Sequence, residues 1–245
     1  MDQAGRIRAG LVVAVLLTLL ADPLGAAADD SRVEQLRSLP EPSLPARIAA
    51  APVVRMTLPI TYQSQLAEPP PSDWQDAGTP YCVPAAATML LRERGVKLPG
   101  AVLSTLYEQG RRYNSTPDAG IDPDGLSRLL QAYGGNGTIH LSSDRGVLLD
   151  DLVGRLNWNA PSIAFTQGGL HVAVVYGYEA QMGGPITGLY LADPYNGFSG
   201  LVRISDFWES PNWMGQPFRA PGWQWQEQWV FVSYKDYVAI PAALR

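Results

Sequence analysis

Apolar positions in this chain follow two patterns, and the change between them falls past its middle. Up to about residue 156 they are spaced for helices, each with its own start or stop signal. Helices are predicted over residues 84–93, closed by Gly95; 101–109, closed by Gly110; 123–132, opened by Asp122 as N-cap; and 147–156. From residue 162 onward the apolar runs are short, β-branched or aromatic, and bounded by Gly, Pro and Asn. They predict strands over 162–165, 171–178, 188–192 and 229–234. Helices followed by strands imply an α+β fold, a helical layer followed by an antiparallel sheet that packs against it.

The first 52 residues stand apart from this pattern. Arg6 and Arg8 precede an apolar run over residues 10–20, and Gly25, Ala26, Ala27 and Ala28 follow before Asp29 and Asp30. This is the layout of a secretory signal cut near Ala28, residues 1–28. Asp22 and Pro23 interrupt the run well short of the roughly 20 apolar residues a membrane helix needs, although an uncleaved signal would still tether the chain. Residues 29–52 are rich in Ala and Pro, with one short helical pattern over 33–36, and read as a linker or stalk, or as a propeptide. The folded domain is expected over 53–245, with no membrane span after signal cleavage and a secreted, periplasmic or cell-surface destination.

Composition narrows the function. The chain has 245 residues, 46% hydrophobic and 17% charged, enough for one core of ordinary size. Its net charge of -5, with no extended Lys/Arg run, argues against nucleic acid or anionic lipid as a partner. Neither a phosphate-binding loop nor a dinucleotide fingerprint occurs, and no Cys/His cluster suits zinc, so no cofactor or metal is expected. The segment from Asp122 to Gly125 lacks the later glutamate of a calcium loop and reads as a helix cap.

Cys82 is the only cysteine, so an exported chain can form no internal disulfide. A lone thiol there is buried and inert, paired with another chain, or kept for its reactivity. Cys82 precedes Val83, Pro84 and three alanines, which places it at a helix N-terminus. Unpaired N–H groups and the helix dipole there stabilise a thiolate, the nucleophilic form, though a small residue capping a core helix would look the same. His171 opens the most strand-like run of the chain, just after Gly168 and Gly169, and a histidine at a strand mouth faces a cleft or solvent. His140, with no acidic residue close in sequence, reads as structural. Asp193 ends the next strand before Pro194, Asn196 and Gly197, which initiate a turn. A hairpin through Gly183 and Gly184 would bring the start of one strand beside the end of the other, placing Asp193 against His171. Upstream, Gln63 and Gln65 offer amides for a developing oxyanion, with Gln65 preferred and the Cys82 backbone N–H as second donor.

The segments 58–65, 81–86, 171–178 and 190–194 together resemble the peptidase C39-like family of the papain-like superfamily, over roughly 53–202. The resemblance implies a papain-like cysteine peptidase fold. It also implies a glutamine at the oxyanion hole, a cysteine opening the central helix, a histidine starting a strand and an Asp or Asn ending the next. These fall on Gln65, Cys82, His171 and Asp193. Residues 119–126 look like the family's second helix-opening segment. Val83 stands where many members have glycine, which narrows the space beside the thiol. The best-known members are leader-peptide proteases fused to exporters, but this chain carries no phosphate loop or transporter helices.

An exported cysteine hydrolase acting on a peptide or protein substrate is therefore expected, cleaving a peptide or related amide bond. Two alternatives stay open: an inactive binding module for a peptide or cell-wall ligand, and an acyl transferase using the same thioester. The aromatic residues Phe207, Trp208, Trp213, Phe218, Trp223, Trp225 and Trp229 read as seals of the sheet edge and its loops, with a ligand groove as the other use.

Overall fold

The computed structural model describes residues 52–72, 80–116, 120–219 and 224–236. The segments read as a signal and as a linker, up to residue 51, and Trp223 lie outside the described residues, within which no helix is long and apolar enough to cross a membrane. The order along the chain is β1 (Val53–Thr57), α1 (Cys82–Glu93), α2 (Val102–Arg112), α3 (Pro123–Ala132), β2 (Gly135–Ser142), α4 (Arg145–Asn157) and β3 (Ser162–Thr166). A 3-10 turn (Gln167–Gly169) then leads into β4 (His171–Gln181), β5 (Ile186–Ala192), β6 (Ser199–Arg203), α5 (Ile204–Glu209) and β7 (Trp229–Asp236).

The strands form one antiparallel sheet in the order β2-β7-β3-β4-β5-β6. The long β4 divides one of its edges between two partners: β3 pairs with its first half, Thr166 opposite His171, and β1 with its second, Met56 opposite Tyr178. Alternation along the strands sends successive side chains to opposite faces. Ile163, Phe165, Val172, Val174, Val230 and Val232 join the core beneath α1, α2 and α3. Ala164, Val175, Leu189, Leu191 and Phe231 join a second core beneath α4 and α5. Both faces are thus covered, where a single helical layer was expected, and this explains why β3 and β4 read as continuous apolar runs rather than alternating ones.

The helix signals meet different fates. Asp122 caps α3 as expected, accepting the Gly125 N–H at 2.7 Å. Its other oxygen gathers the N–H and hydroxyl groups of Ser115 and Thr116. Gly95, at φ 70°, follows α1 in the left-handed region. Gly110 does not close α2, which continues to Arg112; its bare Cα lets Ile121 approach to 2.5 Å of where a Cβ would stand. The start of α2 is capped from far away, the Glu68 carboxylate accepting the N–H groups of Leu103 and Ser104 at 2.8 and 3.0 Å.

Candidate functional site

Cys82 is the first residue of α1; among the described residues no side chain caps the start of that helix, and no acidic residue occupies its first turn. The positive end of the helix dipole is therefore left facing the sulfur. The thiol is only partly covered, while the rest of the first two turns is buried beneath the sheet. Val83 lies within the core and is 3% exposed, so its side chain serves helix packing.

His171 and Asp193 meet because β4 and β5 form the expected hairpin, turned through Gly183 at φ 68°. The His171 Nε2 and Asp193 Oδ1 atoms are 2.8 Å apart and both residues are buried. Asp193 is held in turn by its own loop: Oδ1 also accepts the Tyr195 N–H at 2.8 Å, and Oδ2 accepts the Asn196 side-chain amide at 2.9 Å. Burial works against the carboxylate's charge, but these bonds and the imidazole outweigh it and hold Asp193 below the usual aspartate range. Burial likewise pushes the imidazole down. Hydrogen bonds to Asp193 and to the Cys82 side chain, and the charges of both, reverse that and raise His171 to about 9. With Nε2 committed to the carboxylate, Nδ1 is the nitrogen left for the sulfur.

Gln65 is buried, and its N–H donates to the Pro194 carbonyl at 2.9 Å, which binds it to the turn that carries Asp193. The Tyr62 hydroxyl donates to the same carbonyl at 3.2 Å. Gln63 is engaged elsewhere: its Oε1 accepts from Arg92 Nη1 at 2.6 Å and its amide donates to the Ser64 carbonyl. Of the two glutamines, Gln65 is the one on the Asp193 turn.

His140 is structural in position, yet the absence of acidic sequence neighbours misleads. The fold brings Asp151 from α4 against its Nδ1, Nε2 lies 2.8 Å from the Ser233 hydroxyl, and Phe231 stacks on the ring at 4.5 Å. Burial holds His140 below its ordinary value; Asp151 opposes this, and Arg155, which shares that carboxylate, reinforces it. Most of the aromatic residues pack inward, with Phe207, Phe218 and Trp225 almost fully buried. Trp213 packs against the second core as Trp208 and Trp229 do, and it also lines a cleft beside His171 and Asp193 with Gln167, Leu170 and Tyr195. Tyr195 and Asn196 were visible in the sequence only as part of a turn; the Asp-Pro-x-Asn-Gly spacing is the signal that could have marked them as carboxylate donors. No group of three or more metal-ligating side chains occurs among the described residues.

A cysteine at the mouth of a central helix, with a histidine and a carboxylate on neighbouring strands of an antiparallel sheet, is the arrangement of papain-like proteins. This chain belongs to the peptidase C39-like family, whose sequence profile matches residues 57–214. No curated protein matches it in sequence. Among solved structures it is similar to a double glycine motif protease from an AMS/PCAT transporter, crystallised in complex with the leader peptide. Identity is 14% and the TM-score 0.44, over 76% of this chain and 99% of that one. It is also similar to the peptidase domain of Streptococcus ComA, a bi-functional ABC transporter involved in a quorum sensing pathway, at 15% identity and a TM-score of 0.37, over 65% and 93% of the two chains.

Proposed function

We propose that the chain is an exported cysteine hydrolase that cleaves a peptide or related amide bond, with Cys82 as nucleophile, His171 as base and acid, and Asp193 as the residue that orients the imidazole. The observation that supports this most directly is one buried imidazole partnered by the Cys82 side chain and by Asp193. The sulfur acts as the nucleophile with its proton held on His171. The sulfur adds to the scissile carbonyl carbon, and the resulting oxyanion is received by the Gln65 side chain and the Cys82 N–H. Collapse of this intermediate breaks the C–N bond as His171 hands its proton to the leaving nitrogen, and a thioester remains. Water, deprotonated by His171, then displaces the sulfur, releasing a carboxylic acid and restoring the thiol–imidazole pair. The signal-like segment over residues 1–28 supports export, and the domain is taken to begin at residue 53.

The test is the rate of iodoacetamide alkylation of Cys82 between about pH 5 and 9 in the wild type and in His171→Ala. Rapid labelling near about pH 6 that disappears in the variant is expected. Labelling that follows an ordinary thiol in both proteins would sink the enzyme reading and leave a binding module. Ligated rather than hydrolysed products from an amine-containing reaction would point to acyl transfer instead.

A further inference from the structure

His171 forms part of the wall of a cleft of about 500 Å³, where Leu170, Tyr195 and Trp213 stand among the polar side chains of Gln167, Asn196 and Asn212. Two of these side chains present large apolar surface to solvent, Leu170 at 85% exposed and Tyr195 at 59%. Both line the same cleft as His171. Leu170 precedes His171 in the chain, and Tyr195 meets the ring edge-on, with 6.5 Å between centroids and an interplanar angle of 81°. Apolar side chains gathered on one wall of a cleft, unlike those scattered singly, mark a place where something apolar is received.

This wall is preformed. The turn before Leu170 has Gln167 at φ 55°, Gly168 at 70° and Gly169 at 93°. A non-glycine residue in the left-handed region persists only where its surroundings hold it there. The Gln167 N–H donates to the Trp213 carbonyl at 2.9 Å, tying the turn to the opposite lip of the cleft. Phe218 packs so closely on Gly169 that a Cβ there would meet its ring at 2.4 Å. Tyr195 is fixed by its own N–H, which is bonded to Asp193.

The chemistry of amide cleavage says which part of a substrate meets this wall. The proton that His171 carries goes to the leaving nitrogen, so the portion of the substrate beyond the scissile bond lies on the imidazole side. We infer, on the basis of the hydrolase reading above, that Leu170, Tyr195 and Trp213 form a pocket that selects a large apolar or aromatic side chain in the residue immediately after the scissile bond.

The experiment offers the full chain a synthetic library of blocked octapeptides randomised at every position, reads the new amino termini by mass spectrometry, and runs the Cys82 alkylation profile beside it. Leu, Ile, Met, Phe and Tyr are expected at the new termini about tenfold over Gly, Ser and Asp. Leu170→Ser and Tyr195→Ala flatten that preference, and Leu170→Glu turns it toward Lys and Arg. All three substitutions are at exposed positions, so the core is left intact. New termini without apolar enrichment, or enrichment that survives Leu170→Ser combined with Tyr195→Ala, overturn the pocket and leave the hydrolase standing. A tuned thiol that cleaves no library member does the same, because every apolar residue is present at every position. An ordinary thiol with no cleavage overturns both.

Discussion

Val174 stands opposite Ala192 in the β4–β5 ladder, and from that pair the chain runs back to His171 on one strand and on to Asp193 at the end of the other. The contact between imidazole and carboxylate is therefore a consequence of sheet register. Register is fixed by packing on the two buried faces, since a slip by one residue would move every side chain of β4 from one core into the other. Asp193→Asn leaves this backbone in place and removes the charge together with one of the two acceptor oxygens. In the wild type the His171 ring should hold its proton up to about pH 9. In the variant the midpoint should move down by about one to three pH units. Histidine-resolved NMR titration measures both, and an unchanged midpoint would show that Asp193 does not set the charge of the ring.

The two histidines should push stability in opposite directions with pH. His171 is raised, so the stability it contributes is complete below about pH 6.5 and is lost as pH rises through about 9. His140 is lowered by burial, so the folded state resists protonating it while the unfolded state does not. Its contribution is complete above about pH 6.5 and is lost as pH falls below that value. Urea midpoints should therefore decline on both sides of near-neutral pH. His140→Gln should flatten the acid side between about pH 7 and 5 without altering the alkaline side. An acid slope that survives His140→Gln would assign it to the carboxylates alone.

The parts of the fold legible in the sequence are those whose signals are local. Helix α3 carries its cap and its N-terminal proline within four residues, and the β4–β5 hairpin carries Gly183 and Gly184 between two β-branched runs, so the chain pattern by itself pairs His171 with Asp193. Strand β1 escapes notice because it is exposed along most of its length and has no apolar alternation to read. Strand β2 begins Gly-Asn-Gly, which resembles a turn until β7 is laid beside it. The Asp151–His140 contact and the Glu68 cap depend on where distant segments come to rest, and no spacing rule reaches across them. The wall at Leu170 was hidden for a related reason: Gly168 and Gly169 read as a flexible approach to β4, whereas Phe218 and Trp213 make it a fixed turn.

Glu68 closes the start of α2 with its side chain, 35 residues away in sequence from Leu103. Two helix N–H groups lose their acceptor in Glu68→Ala, at a cost of about 1 to 2 kcal/mol. Glu68→Gln keeps one acceptor oxygen and should cost about half as much. Chemical denaturation of the three proteins gives the order directly, and equal stability of wild type and Glu68→Ala would mean that solvent caps α2 equally well.

Gly137 in β2 lies against α3: the Ser127 hydroxyl donates to its carbonyl at 2.6 Å, and a Cβ on Gly137 would stand 2.3 Å from the Ser127 carbonyl oxygen. The obstacle is backbone, which cannot swing aside as a side chain would. Gly137→Ala must push α3 away from the sheet, and a loss of about 1 to 3 kcal/mol is expected, as for other overpacked interiors. Gly110→Ala meets side chain rather than backbone, the Cδ1, Cγ1 and Cγ2 atoms of Ile121 at 2.5, 2.9 and 3.1 Å, and should cost less. Thermal denaturation of both variants checks the ranking, and a reversal would mean that the β2–α3 contact is looser than the hydrogen bond implies.

Gln65 and Gln63 make a matched pair for testing the oxyanion role. They lie two residues apart and both are buried, but Gln63 holds Arg92 on α1 while Gln65 is bonded through its backbone to the turn after Asp193. Loss of a preorganised oxyanion donor costs about a hundredfold to a thousandfold in kcat. Gln65→Ala should show that loss on any peptide the wild type cleaves, with the rate of Cys82 alkylation by iodoacetamide kept, because alkylation passes through no tetrahedral intermediate. Gln63→Ala removes an acceptor from Arg92 and should lower stability by about 1 to 3 kcal/mol, with kcat changed far less. If instead Gln63→Ala abolishes turnover while Gln65→Ala leaves kcat within about threefold of wild type, the oxyanion donor has been assigned to the wrong amide. Equal small effects from both would leave the Cys82 N–H as the principal donor, and the helix N-terminus rather than a side chain would then carry the charge that develops on the substrate.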